Sequence, residues 1–147
     1  MEMKVKEEYS DIIDDYIERL TSKKITPRDK LTEAKEFISI HRKKRVWDYS
    51  SKNVRNIIVY SFIENNIKIF KLFVDEKNAN LYTPNNKDNT LLKIVLNDYS
   101  IGMQKDRDSQ AYADYLIEKG AKIPKDYTNH PLVSKYKLGS YSKFLDL

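Results

Sequence analysis

The sequence predicts an all-α fold whose helices follow one another in pairs. Along most of the chain, apolar residues recur at steps of three and four, which places them on one face of a helix. Asn, Asp, Ser and Thr separate these segments, and these residues favour helix caps and turns. The length of 147 residues is usual for one domain, so we expect residues 1–147 to form a single domain.

The composition indicates a globular protein inside the cell. The chain is 40% hydrophobic and 33% charged, and it has 11 Tyr, 5 Phe and 1 Trp to supply a core. Cysteine is absent, which excludes a disulfide framework, a thiolate nucleophile and a sulfur-ligated metal. Abundant Lys, Asn, Ile and Tyr suggest an AT-rich genome, as in certain bacteria, phages or large DNA viruses. Because the chain has no cysteine for disulfides, we expect a cytoplasmic location.

The charge pattern bears on export and on partners. Residues 1–8 are too charged for a signal peptide, and no stretch approaches the roughly 20 apolar residues that span a bilayer, so no membrane association is expected. The formal net charge of +5 permits an acidic partner. The 27 basic and 22 acidic residues are interspersed, however, which weakens the case for a nucleic-acid binder.

Two helices are predicted before residue 45. The first runs from Glu7 to Leu20, and its apolar stripe consists of Tyr9, Ile12, Ile13, Tyr16, Ile17 and Leu20. The second begins where Thr26 can cap the helix and Pro27 can take its first position. We expect residues 1–45 to form a helical cap outside any repeat.

A helix pair is predicted near residues 54–65 and 67–77. Ser50, Ser51 and Asn53 offer caps for the first helix, whose apolar side carries Val54, Ile57, Ile58 and Phe62. Asn65 and Asn66 separate the two helices, and Asn78-Ala79-Asn80 ends the second. Residues 82–89 favour turns over regular structure, and Thr90 opens the next helix.

This order of helices and turns resembles the ankyrin repeat, a helix pair plus a projecting turn with a period of about 33 residues. In that family, Gly-Ala-Asp precedes the Thr of a Thr-Pro-Leu-His motif by twelve residues, and here Asn78 precedes Thr90 by twelve. Thr90-Leu91-Leu92-Lys93 then corresponds to the motif, with Leu91 in place of its Pro and Lys93 in place of its His. The resemblance covers about residues 50–147, as two repeats and a truncated third.

The resemblance implies two further helix pairs, near residues 90–99 with 109–119 and 130–138 with 140–146. Gly120 follows the first of these pairs, and residues 100–109 read as an enlarged loop within it. His130-Pro131-Leu132-Val133 is similar to another Thr-Pro-Leu-His site. Stacking of the pairs would bury Ile58, Phe62, Phe70, Phe73, Leu92, Leu96, Tyr112, Leu116 and Leu132. An unrelated helical bundle is the alternative.

A search for catalytic and metal-binding patterns favours a protein that is not an enzyme and has no cofactor. His41 and His130 lie far apart in sequence, and the three glycines form no phosphate-binding loop. An acidic edge of the first helix, formed by Asp11, Asp14, Asp15 and Glu18, could hold a divalent cation, but a solvated helix face explains it better. Asp106 and Asp108 flank Arg107 without an evident acid-base partner.

The run Arg42, Lys43, Lys44 and Arg45 is the best nucleic-acid candidate. Cations neutralise phosphates, and the nearby Trp47 could stack on a base. The other interpretation is a helix C-terminus, where cations are favourable, followed by a Trp that anchors the core. We prefer the second interpretation.

The resemblance implies that the chain binds a protein partner through turn tips and the exposed side of each first helix. The residues expected there are Asp48, Tyr49 and Lys52 at one tip, Asn85, Asn86 and Lys87 at the next, and Lys93 and Asn97 on the adjoining helix. We expect a non-catalytic inhibitor, immunity or counter-defence protein that blocks or modulates its partner. A nucleic-acid-binding regulator acting through Arg42–Arg45 is the alternative.

Overall fold

A computed structural model describes residues 5–76, 82–83, 86–101 and 107–137. The chain divides into two compact units, Met1–Asp88 and Asn89–Leu147, and each is described by itself below. Across the described residues, the fold is all-α apart from one small two-stranded sheet. The predicted helix at 140–146, the helix end at 78–80 and residues 102–106 of the loop at 100–109 lie outside the described residues.

The helical part of the first unit, in its described residues, consists of four α-helices and a 3₁₀ turn. The helices are α1 (Glu7–Thr21), α2 (Pro27–His41), α3 (Ile57–Ile63) and α4 (Ile67–Val74), and the turn is Val46–Asp48. α1 packs on α3, α2 packs on α4, and α3 packs on α4. Trp47, Phe70 and Phe73 lie fully buried where these helices meet. The predicted two-helix segment and the first helix pair are confirmed.

Asn and Thr side chains define the helix ends in this unit. Thr26 Oγ1 accepts a hydrogen bond from the Asp29 backbone N–H at 3.1 Å, which confirms the predicted start of α2. Asn65 takes the left-handed conformation that ends α3, with φ of 54°. Asn66 caps α4, because its Oδ1 accepts the Ile69 N–H at 3.2 Å.

The start of α3 differs from the prediction. The helix begins at Ile57, and its cap is Asn56 rather than Ser50, Ser51 or Asn53. Val54 was expected within this helix, and that prediction is wrong. It lies before the helix, 62% exposed, with φ of 61°.

A small hairpin connects the helical segments. Strands β1 (Tyr82–Thr83) and β2 (Asn86–Thr90) form one two-stranded sheet, and only two residues separate them, so their pairing is antiparallel. The sequence favoured turns without regular structure here, and that prediction missed the strands. The low intrinsic β-propensities of Asn and Asp argue against strands here, but the pairing of the two segments in a hairpin overrides these propensities.

The second unit contains α5 (Leu91–Ile101), α6 (Ser109–Glu118) and 3₁₀ helices at Lys125–Tyr127 and Pro131–Lys137. Thr90 Oγ1 accepts the Lys93 N–H at 3.1 Å, so Thr90 opens α5 as predicted. Gly120, with φ of 106°, closes α6. The segment predicted as a helix near 130–138 is helical but of the 3₁₀ type.

The predicted core is confirmed in both units. Each of the nine residues named for it is at most 5% exposed: Ile58, Phe62, Phe70, Phe73, Leu92, Leu96, Tyr112, Leu116 and Leu132. The stacking of helix pairs into one repeat array, and the single domain over residues 1–147, stay predictions.

Candidate functional site

Residues 50–56, here called the tip loop, run along the outer edge of α1. Hydrogen bonds fix the loop at three places: Lys52 N to Ser10 Oγ at 2.9 Å, Asn53 Nδ2 to Asp14 Oδ2 at 2.8 Å, and Arg55 Nη1 to Glu18 Oε1 at 3.2 Å. The accepting residues are spaced by four along α1, so they form one row on the helix surface. This row of side chains on α1 therefore holds the tip loop against the helix.

This arrangement explains part of the acidic edge of α1. Asp14 and Glu18 bind the tip loop rather than facing only solvent. Glu7, on the same helix, pairs with Lys52, and the hydrogen bond from the Lys52 ammonium lowers the pKa of Glu7. Within the described ranges, no group of three or more His, Asp or Glu side chains is placed to hold a metal ion.

Val54 lies exposed within the tip loop. Its φ of 61° is unfavourable for a β-branched residue, and a buried serine supports this conformation. Ser51 is fully buried, and its Oγ accepts the N–H groups of Asn53 at 3.2 Å and Arg55 at 3.3 Å. The loop thus holds an apolar side chain out in solvent on a backbone that is fixed on both sides.

The predicted first tip is partly engaged within the molecule. Asp48 Oδ2 accepts a hydrogen bond from Arg45 Nε at 2.8 Å, and its side chain is 15% exposed. The Tyr49 ring meets the Tyr9 ring edge to face, with centroids 5.3 Å apart. Of the three residues predicted for this tip, Lys52 is the exposed one, and it lies two positions from Val54.

The structure describes the other predicted surface residues to different extents. Asn86 and Lys87 lie in β2, and Asn85 lies outside the described residues. Lys93 is half-buried on the first turn of α5. Asn97 is exposed on the same helix, and its Oδ1 accepts the Tyr127 hydroxyl at 2.7 Å.

In the basic run after α2, the two arginines contact other side chains and the two lysines face solvent. Arg42 pairs with Glu76 at 3.0 Å, and Arg45 lies over the Trp47 ring at 5.6 Å. Lys43 and Lys44 are exposed. Trp47 is fully buried, so the idea that it could stack on a base is wrong, and it anchors the core instead.

Ser100 and His130 come within 3.1 Å, but the hydrogen bonds give the pair a structural role. His130 Nδ1 accepts the Leu132 N–H at 3.1 Å, so a neutral ring carries its proton on Nε2. That nitrogen lies 2.9 Å from the Leu96 carbonyl oxygen, to which the Ser100 hydroxyl also donates. The imidazole thus has no lone pair free to take the serine proton, and His130 begins the last 3₁₀ helix.

Asp108 and Arg107 also have structural roles. Asp108 caps α6, because its Oδ1 accepts the Ala111 N–H at 3.1 Å. Arg107 is 2% exposed at its side chain and pairs with Asp98 of α5 at 2.5 Å. Sequence reasoning missed both this ion pair and the exposure of Val54. The Ser51 and Asn53 side chains, which favour turns, were the signal available for Val54.

No protein-family model, curated protein or solved structure matches this chain. Among the helices that the structure describes, none is long and apolar enough to cross a membrane.

Proposed function

We propose that this chain is a non-catalytic protein that binds another protein and blocks or modulates it, as an inhibitor, immunity or counter-defence protein does. The observation that carries the proposal is the tip loop. It presents Val54 to solvent at 62% exposure, and an exposed apolar side chain on a fixed backbone can bind with little loss of conformational entropy. Lys52, which is exposed and paired with Glu7, lies two positions from Val54.

The proposed architecture is an ankyrin-like array. The order α3, α4, hairpin, α5, α6 supports it, because a projecting hairpin between two helix pairs is the arrangement that this resemblance implies. The caps provided by Thr90 and Gly120 fall at the positions named for them. In this proposal, Asn85, Asn86 and Lys87 lie at a second tip, with Lys93 and Asn97 on the following helix.

The alternative is a nucleic-acid-binding regulator that acts through the run Arg42–Arg45. The observation in its favour is that Lys43 and Lys44 are exposed, so both ammonium groups could reach phosphates. The pairing of Arg42 with Glu76 and of Arg45 with Asp48 reduces the free charge of the run. We therefore place protein binding first.

Affinity capture from the native host, followed by quantitative binding to the captured protein, tests the proposal. Val54→Asp and the double variant Lys87→Glu/Lys93→Glu should each weaken binding about tenfold or more, because an anchor or two rim charges are lost. Glu64→Lys, an exposed change at the end of α3, is the control. If both test variants bind like the parent, the proposed surface is wrong. If the chain retains only nucleic acid, or turns over a small molecule, the proposed function is wrong.

A further inference from the structure

An open groove of about 370 Å³ lies between α1 and α2. α1 packs mainly on α3, and α2 packs mainly on α4. The rings of Tyr16 and Phe37 meet between them, with centroids 4.3 Å apart. Ile12 and Ile40 line the groove as aliphatic side chains on opposite helices. Apolar and charged side chains thus line the groove together, and it is open to solvent.

Ile40 stands out among the lining residues. It is 74% exposed, although it lies in the last turn of α2 beside the half-buried Phe37. Burying an aliphatic side chain of this size is favourable relative to leaving it in water. A partner that covered Ile40 would recover that free energy on binding.

The charges around the groove are predominantly negative. Arg19 and Glu33 form a two-pronged pair, with Nη2 to Oε2 at 3.0 Å, and the hydrogen bond from Arg19 lowers the pKa of Glu33. These two charges neutralise one another. Asp15 and Glu36 also line the groove; both are exposed, and neither is in an ion pair with another described residue. Asp15 and Glu36 therefore give the groove a local negative charge, although the net charge of the chain is +5.

We propose that the groove between α1 and α2 binds a cationic amphipathic helix of a partner protein. Aliphatic side chains of that helix would pack against Ile12, Phe37 and Ile40, and flanking Lys or Arg side chains would pair with Asp15 and Glu36. A helix lying in an apolar groove between two helices is a recurrent mode of peptide recognition, and complementary charge fixes its register. The inference rests on the proposed protein-binding function and assigns its partner a chemical class.

A synthetic peptide of about 18 residues provides the probe, since that length can form a helix on binding. It carries Leu at helical spacing on one face and Lys elsewhere, and fluorescence anisotropy reports its binding. Two matched peptides replace every Lys by Glu or every Leu by Ser. We expect the Leu/Lys peptide to bind at least about tenfold more tightly than either matched peptide.

Variants of the chain locate the binding site. Ile40→Asp and Asp15→Lys/Glu36→Lys should each weaken binding of the Leu/Lys peptide about tenfold, while Glu64→Lys should leave it unchanged. All these positions are exposed, so circular dichroism and the melting temperature should match the parent protein. Equal binding by the Lys and Glu peptides, or equal binding by the parent and the groove variants, would overturn the inference.

The captured partner separates this inference from the proposed function. If Val54→Asp weakens its binding, but Ile40→Asp and the charge reversal do not, the groove proposal fails and the protein-binding function stands. If the peptide binds in the groove but no protein partner binds the chain, the proposed function fails instead. If the groove variants weaken binding of the captured partner, the result supports both the groove proposal and the protein-binding function.

Discussion

The side-chain amide of Asn56 donates a hydrogen bond to the main-chain carbonyl of Trp47 at 2.9 Å. The same nitrogen donates to the Tyr49 carbonyl at 3.1 Å. Its Oδ1 accepts the N–H groups of Ile58 at 3.0 Å and Val59 at 3.1 Å. One buried side chain thus joins the 3₁₀ turn that carries Trp47 to the first turn of α3.

Replacing Asn56 by Ala should therefore destabilise the protein by about 2 to 4 kcal/mol, because it removes a helix cap and leaves two carbonyl groups without their donor. Asn56→Asp should cost at least as much, since a carboxylate would face those carbonyl oxygens. Urea unfolding measures both changes. Asn66→Ala is the control: Asn66 caps α4 with one hydrogen bond, so its loss should cost only about 1 kcal/mol. Equal costs for Asn56→Ala and Asn66→Ala would contradict the role assigned to Asn56.

Substitution of Val54 should stabilise the protein, whereas substitution of Asn56 should destabilise it. A left-handed conformation costs a residue with a Cβ about 1 to 2 kcal/mol, and Asn tolerates it better than Val. We expect Val54→Asn to raise the free energy of unfolding by about 1 kcal/mol, and yet to weaken binding of a protein partner. Ile40→Asn, at an exposed helical position, should bring no such gain. A Val54→Asn protein less stable than the parent would show that the tip loop is not strained.

The two cases show where sequence reasoning succeeded and where it failed. Periodicity and short-range caps located α1, α2, α4, α5 and α6 because their signals are local, as at Thr26 and Thr90. The start of α3 was misplaced because Ser51, Asn53 and Asn56 can all cap a helix. Asn56 is selected by carbonyl groups seven and nine residues away. The groove between α1 and α2 depends on which helices those two pack against, and periodicity within one helix does not contain that information.

The ion pair of Arg107 and Asp98 should contribute to stability, because the Arg107 side chain is buried. Arg107→Met should cost about 3 kcal/mol, because Asp98 would remain partly buried without its guanidinium. The double variant Arg107→Met/Asp98→Leu should lose less than Arg107→Met alone, since no charge is then left behind. Denaturant unfolding of the two single variants and the double variant measures the coupling. Strictly additive costs would show that the two charges do not stabilise one another.

His41 should make stability depend on pH. Burial, and next the charge of Lys44, hold the pKa of His41 below its ordinary value of 6.5, and its ring packs on Phe37 with centroids 4.5 Å apart. The unfolded chain therefore takes up a proton at a higher pH than the folded one. The contribution of neutral His41 is complete above about pH 6.5 and is lost as the pH falls through the folded pKa. His41→Gln should remove this loss, as measured by unfolding at pH 7.5 and 5.5. A pKa of His41 at or above 6.5, measured by NMR titration of the folded protein, would contradict this predicted pH dependence.

The basic run after α2 separates the two proposed functions, because its four cations differ in their contacts. Arg42 and Arg45 are paired with Glu76 and Asp48, whereas Lys43 and Lys44 are exposed. Neutralising Arg42 and Arg45 to Gln should cost about 1 to 2 kcal/mol. Most of this loss should come from Arg45, because its ion pair is half-buried and its guanidinium also covers the Trp47 ring. The Arg42 pair is more exposed and should contribute less. Neutralising Lys43 and Lys44 should cost less, because both are exposed and only the favourable charge at a helix C-terminus is lost.

Duplex DNA binding by the same variants completes the test. If the run binds phosphates, each contact should add about 0.9 to the slope of log affinity against log salt, so Lys43→Gln/Lys44→Gln should reduce that slope by about 1.8. We expect instead weak, salt-sensitive DNA binding in the parent, spread over its surface and little changed by that double variant. A scattered charge of +5 should not sustain tight binding once physiological salt screens it. Tight binding at that salt concentration, lost when Lys43 and Lys44 are neutralised while the fold is intact, would place the nucleic-acid function ahead of protein binding.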